Sequence, residues 1–139
     1  MVQIKLNRYY LIDGEGIVLP WVNNAPVSDL PLLIGINFRK SKVSIGQRYP
    51  SEKLDRALES LKALSSSSLL AVKDIALVNT GISGDIILTT KGGLKIRLGK
   101  EDFEKKISLL ERVLEDIYIK HKRIELIDLR FGDVIVKEK

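Results

Sequence analysis

The one histidine, His121, stands among Lys120, Lys122 and Arg123. General acid–base work would need a partner within hydrogen-bond reach, and no Ser or Asp arrangement around it can be read from the sequence. A solvent-facing place in the last turn of a helix accounts for it. Glu15, Asp55, Glu59, Glu111, Glu115 and Asp116 are scattered carboxylates without His partners or the spacing of an oxygen-rich Ca²⁺ loop. They read as solubilising charges and i,i+4 partners, as in Glu52 with Arg56. With no cysteine, the chain can form neither a disulfide nor a thiolate metal site. Gly14/Gly16 and Gly92/Gly93 do not lie between a strand and a helix at the spacing of a phosphate-binding loop. Hairpin turns explain them. Tyr9 and Tyr10 fall on opposite faces of a strand, so at most one of them can stack on a base. These residues point to no catalytic centre, metal site or cofactor, and the expectation is a binding domain rather than an enzyme.

The elements that would carry a binding surface follow from periodicity. Lys5 to Asp13 is rich in β-formers and runs through Gly14-Glu15-Gly16 into Gly16 to Pro20, a hairpin. Trp21 to Asp29, with Asn23-Asn24, Pro26 and Ser28, reads as a surface connection. Leu30 to Gly35 is apolar but holds Pro31, which suits an edge or irregular extended piece. From Ser51, an N-cap after Pro50, Leu54, Ala57, Leu58, Leu61 and Leu64 recur at spacings of three and four and predict a helix. Ser65 to Ser68 ends it as a connector. Leu69 to Asn79, Asp85 to Lys91 and Leu94 to Leu98 predict three strands, the last two joined by Gly92-Gly93. Phe103, Ile107, Leu110, Leu114 and Ile117 mark a second helix over Asp102 to about Lys120. Ile124 to Phe131 and Val134 to Lys137 are strand pieces hinged at Gly132-Asp133. This order predicts an α+β fold with a mixed, largely antiparallel sheet and two helices packed on one face.

The chain of 139 residues is the size of one domain, and the expectation is a single unit over 1–139. Its 45% apolar and 29% charged residues are those of a globular protein with a packed core. The longest apolar stretches, such as Leu30 to Ile36, fall far short of the roughly 20 residues that cross a bilayer. The net charge of +5 raises the question of nucleic acid. Acidic residues are interleaved throughout, however, and the denser clusters, Arg39-Lys40-Ser41-Lys42 and Lys120 to Arg123, are short. No nucleic acid is therefore expected, and binding through Lys120 to Arg123 stays an alternative recognisable by steep salt dependence.

Val134-Ile135-Val136 is a short β-branched strand near the chain end, with no later strand to pair with it, so an open sheet edge is expected there. An open edge also leaves self-association as an alternative.

Four segments in order carry a more specific signal: Tyr9-Tyr10-Leu11-Ile12-Asp13 with Gly16 and Val18, Leu30-Pro31-Leu32-Leu33 with Gly35, Gly92 to Gly99, and Ile127-Asp128-Leu129-Arg130-Phe131 with Asp133. In this order, with the second helix between the last two, the sequence resembles the C-terminal β domain of the FtsQ/DivIB family of bacterial cell-division proteins. The resemblance covers nearly the whole chain. Met1 to Leu6 looks like the end of the junction from a POTRA domain. The tail, single transmembrane helix and POTRA domain usual in the family have no counterpart in these residues, so a shortened form of a membrane-anchored parent is expected.

The resemblance implies a divisome scaffold on the outer side of the cytoplasmic membrane at the septum, with FtsB/DivIC-type and FtsL-type partners. It implies that a partner adds a strand to the edge formed by the last β-strand. Arg130 and Phe131 match the Arg-aromatic step of the family's interface, which makes Phe131 an anchor for an apolar side chain and Arg130 a mate for a partner carboxylate. Phe131 lacks the hydroxyl of the tyrosine found in some relatives. The ordinary reading puts Phe131 in the core and Arg130 in solvent. The implied docking set is Arg130, Phe131, Val134, Ile135 and Val136, and Ile135→Pro is expected to abolish binding by removing a ladder donor.

Overall fold

A computed structural model describes residues 1–81, 83–131 and 133–139. Its strands are β1 (Val2–Lys5), β2 (Tyr9–Ile12), β3 (Val18–Asn23), β4 (Leu32–Ile34), β5 (Ile75–Asn79), β6 (Ile86–Thr90), β7 (Lys95–Gly99), β8 (Ile124–Asp128) and β9 (Ile135–Glu138), with helices α1 (Glu52–Leu64) and α2 (Phe103–Lys120). They form one sheet in the order β3-β2-β1-β4-β5-β6-β7-β8-β9. Five neighbouring pairs are antiparallel and three are parallel, namely β1 with β4, β4 with β5 and β7 with β8. The fold is α+β with a mixed, largely antiparallel sheet.

Each helix is a crossover between adjacent parallel strands: α1 joins β4 to β5 and α2 joins β7 to β8. Both crossovers step the same way along the sheet between strands of the same direction. Right-handed connections therefore place both helices on one face, where they contact each other. Ser51 caps α1 by accepting the Leu54 N–H at 3.2 Å, and Leu54, Ala57, Leu58, Leu61 and Leu64 are buried as their spacing predicts. In α2 the buried residues are Phe103, Ile107, Leu110, Leu114 and Ile117. His121 closes α2 in the left-handed conformation, φ 53°, and is exposed.

Under the helices, one register row runs across the sheet through Leu33, Val78, Leu88, Ile96 and Ile127. All five are buried, and each such side chain is worth about 1.5–3 kcal/mol of transfer free energy. The next residue in the row is Val136 on β9, which is 39% exposed. The core therefore fades out at β9.

Several expected elements differ. Leu32–Ile34 is an interior strand rather than an edge, parallel to neighbours on both sides. Pro31 precedes its ladder and contributes only a carbonyl, which accepts the Gln3 N–H at 3.0 Å, so the sheet loses no donor. Trp21 to Asn23 belongs to β3 rather than to a connection, because Val22 and Asn23 pair with Tyr10 and Tyr9. Residues 2–5 are an interior strand. The strand expected from Leu69 begins only at Ile75, after a 3₁₀ turn over Val72–Asp74. Of the expected Gly132-Asp133 hinge, Gly132 lies outside the described residues.

Candidate functional site

The last strand, β9, pairs on one side with β8, in the register Asp128↔Ile135, Ile127↔Val136 and Leu126↔Lys137. On its other side the sheet ends. Lys139 donates its N–H to the Arg123 carbonyl at 3.1 Å, on the inner side of the strand. Backbone groups of successive residues point to opposite edges of an antiparallel strand, so Ile135 and Lys137 share that inward direction and Val136 and Glu138 face outward. β8 gives the same answer, because Leu129 donates to Arg97 on the β7 side, which turns the backbone groups of Asp128 and Leu126 toward β9. The irregularity in this pairing falls on the β8 side, between Ile124 and Leu126, and leaves the alternation of β9 intact. Among the described residues, the free ladder groups are thus those of Val136 and Glu138. The expected effect of Ile135→Pro changes accordingly: its N–H belongs to the internal β8–β9 ladder, and the outward donor is that of Val136.

Side chains alternate as well. Val136 lies on the helix side with Ile127, and Ile135, 55% exposed, lies on the opposite face with Asp128. Val134, Leu109 and Val113 are partly buried and pack against the core. Exposed ion pairs, Lys137 with Glu125 at 3.6 Å and Lys122 with Glu138 at 3.3 Å, tie β9 to its surroundings. Such pairs contribute little individually.

Beyond the end of β8 the chain turns a corner at Leu129–Phe131. Leu129 is buried, whereas Phe131 is 62% exposed, which rules out the reading that buries it in the core. Arg130 is not an uncommitted cation. Its Nε and Nη2 donate to the Asp128 carboxylate at 3.0 and 2.9 Å, and its backbone N–H donates to the same carboxylate at 3.1 Å. These bonds hold the Asp128 carboxyl below the usual carboxylate range against the opposing effect of burial, with the charge of Arg97 adding to them. The guanidinium carbon sits 4.8 Å from the centre of the Phe131 ring, a cation–π contact. A cleft of about 190 Å³ opens beside this corner, between Lys105, Lys106 and Leu109 of α2 and Arg130 and Phe131. Of the five expected residues, Arg130 and Phe131 therefore form the corner, Val134 precedes the open strand, and Ile135 and Val136 lie in it. Asp128 was missed, although its i,i+2 spacing from Arg130 on a strand was a readable signal.

Among the described residues there is no cluster of His, Cys, Asp or Glu able to hold a metal. None of the helices they form is long and apolar enough to cross a membrane. Within the basic stretch Lys120 to Arg123, Lys120 pairs with Asp116 at 3.2 Å and Lys122 with Glu138, so two of its three lysine and arginine charges are met inside the chain.

Residues 1–130 match the family model described as Cell division protein FtsQ/DivIB, C-terminal. The chain belongs to the FtsQ/DivIB family. It is 31% identical over 134 residues to the cell division protein FtsQ of Rhodothermus marinus, a match that covers 90% of this chain and 46% of that protein. It is 24% identical over 139 residues to FtsQ of Geotalea daltonii, covering 98% and 49%. To FtsQ of Syntrophotalea carbinolica it is 23% identical over 126 residues, covering 90% and 44%. The chain thus spans under half the length of these FtsQ relatives. The family model stops at Arg130, so of the docking set only Arg130 lies within it, and Phe131 and β9 lie beyond.

Proposed function

We propose that this FtsQ/DivIB-family domain is a divisome scaffold that takes FtsB/DivIC-type and FtsL-type partners by strand addition along β9. The observation that carries this reading is the open outer side of β9, where Val136 and Glu138 turn their backbone N–H and C=O away from the sheet. An incoming strand would satisfy those groups and place the side chain opposite Val136 on the helix side, extending the row that ends Ile96, Ile127, Val136. An apolar residue fits there, next to Val134. On the other face, Ile135 and Lys137 would meet alternate residues, which gives selection by pattern. The domain acts by binding and not by catalysis. In the parent protein it stands on the outer side of the cytoplasmic membrane at the septum, attached through a transmembrane segment.

The test is calorimetric titration of the chain with a synthetic peptide from the extracytoplasmic end of the FtsB/DivIC-type protein of the same organism. Val136→Pro should abolish binding while the melting midpoint moves little. Undiminished binding by a folded Val136→Pro variant would sink the edge mechanism.

The same free groups support a second reading, self-pairing of two β9 edges. Sedimentation at rising concentration would show it as a dimer that Val136→Pro removes.

A further inference from the structure

We infer that Asp128 is the positioning residue of the docking edge, setting the Arg130 guanidinium so that its unfilled side meets an acidic side chain of the partner. The inference rests on the β9 reading above and adds a determinant of partner chemistry to it. Asp128 is only 6% exposed, and its carboxylate takes the Nε–H and one Nη2–H of Arg130 together with the Arg130 backbone N–H. A guanidinium has five N–H donors in a fixed plane. Among the described residues, Nη1 and the second hydrogen of Nη2 have no acceptor. The Phe131 ring also packs against the guanidinium, its centre 4.8 Å from Cζ.

A second charge completes this arrangement. Arg97 stands directly across from Asp128 in the β7–β8 register, and its Nε is buried without a hydrogen-bond partner. Asp128 therefore sits between two guanidinium groups. Removing its charge leaves Arg97 and Arg130 to repel each other in a partly desolvated corner, and Arg130 swings away. Gly99, at φ +76°, takes a left-handed conformation beside the corner, where a Cβ would crowd Lys106 Nζ at 3.1 Å and meet Arg130 Cγ at an ordinary contact distance of 3.5 Å. A pre-oriented fork loses less freedom on binding a carboxylate than a free arginine does. The matching ligand group is an Asp or Glu carboxylate on the added strand or just beside it, close to the start of β9, because Asp128 pairs with Ile135.

The test is a cycle with the same FtsB/DivIC-type peptide, in native form and with each acidic residue changed in turn to its amide. Asp128→Asn should weaken binding about tenfold, the scale of one charge-assisted hydrogen bond. Arg130→Gln should do the same, and the double variant should bind no worse than Arg130→Gln. One peptide acid should lose its effect in both variants. Arg130→Lys, which keeps the charge and the fold but lacks the fork, should lose a similar factor. A wild-type affinity for Asp128→Asn, or an Asp128→Asn loss that persists in full on the Arg130→Gln background, overturns the positioning role. If Val136→Pro binds undiminished while the Asp128–Arg130 coupling remains, the edge reading falls and the positioning role stands. If Val136→Pro abolishes binding and Asp128→Asn is silent, the reverse holds.

Discussion

The two ends of the sheet are both antiparallel edge strands, yet they are finished differently. At β3 the outer side is occupied where the strand begins. Val18 donates to the Gln47 carbonyl at 3.0 Å, Gly46 donates to Val18 at 2.7 Å, and Tyr49 donates to Gly16 at 3.0 Å, so residues 46–49 cover the start of the strand. Further along, Pro20 has no N–H to offer. At β9 the outer groups of Val136 and Glu138 have no such cover among the described residues. Trp21 on β3, at 61% exposure, is more conspicuous than anything on β9. The difference teaches that backbone availability, rather than an exposed aromatic, decides which edge can take a strand.

The sharpest way to break this comparison is to place proline on each edge. Val136→Pro should remove peptide binding altogether and leave the melting midpoint nearly unchanged. Val18→Pro should do the opposite, lowering stability by roughly 3 kcal/mol or more through a lost internal hydrogen bond and disturbed core, with binding retained by the folded fraction. Denaturant titration of both variants, alongside calorimetry, separates the two outcomes. A smaller contrast lies along the core row. Leu88→Ala should cost about 2–5 kcal/mol, whereas Val136→Ala, at the fading end of the same row, should cost under about 1 kcal/mol and show its effect on binding instead.

At the corner, Phe131→Ala should weaken peptide binding by about tenfold, as truncation of an aromatic anchor does, with little change in melting. Acid should act late. The Asp128 carboxyl is held down chiefly by its hydrogen bonds from Arg130, so its folded value lies below the unfolded one near 3.9. Its contribution is then complete above the unfolded value and is lost as pH falls through the folded value. Carbon-detected NMR titration of Asp128, which faces Arg97 and Arg130, should find its midpoint below the ordinary carboxylate range. The smallest effect belongs to the surface pair Lys137–Glu125: Glu125→Gln should change stability by less than about 0.5 kcal/mol.

Much of this arrangement was legible in the sequence. The spacing from Leu54 to Leu64 and from Phe103 to Ile117, with Ser51 as cap, announced both helices because a helix face is a local property. The family resemblance was equally readable, since its segments keep their order. What failed was non-local. Pro31 suggested an edge because its place just ahead of the ladder depends on Gln3, which is 28 positions earlier in the chain. Asn23-Asn24 and Pro26 hid the end of β3, whose pairing is decided by Tyr9 and Tyr10. The direction of each backbone group on β9 depends on its register with β8, which no sequence pattern displays. Asp128 is hidden because the resemblance assigns the Arg130 guanidinium to a carboxylate of a binding partner, while a carboxylate of the same chain stands two residues away.

The central claim is that β9 has one satisfied side and one free side, alternating by residue. Amide hydrogen exchange of the chain alone and with the partner peptide tests it most directly. Ile135 and Lys137 should be protected in both states, and Val136 and Glu138 should exchange freely alone and become protected on binding. Protection of Val136 and Glu138 in the free chain at low concentration, or their continued free exchange in the complex, would contradict the account.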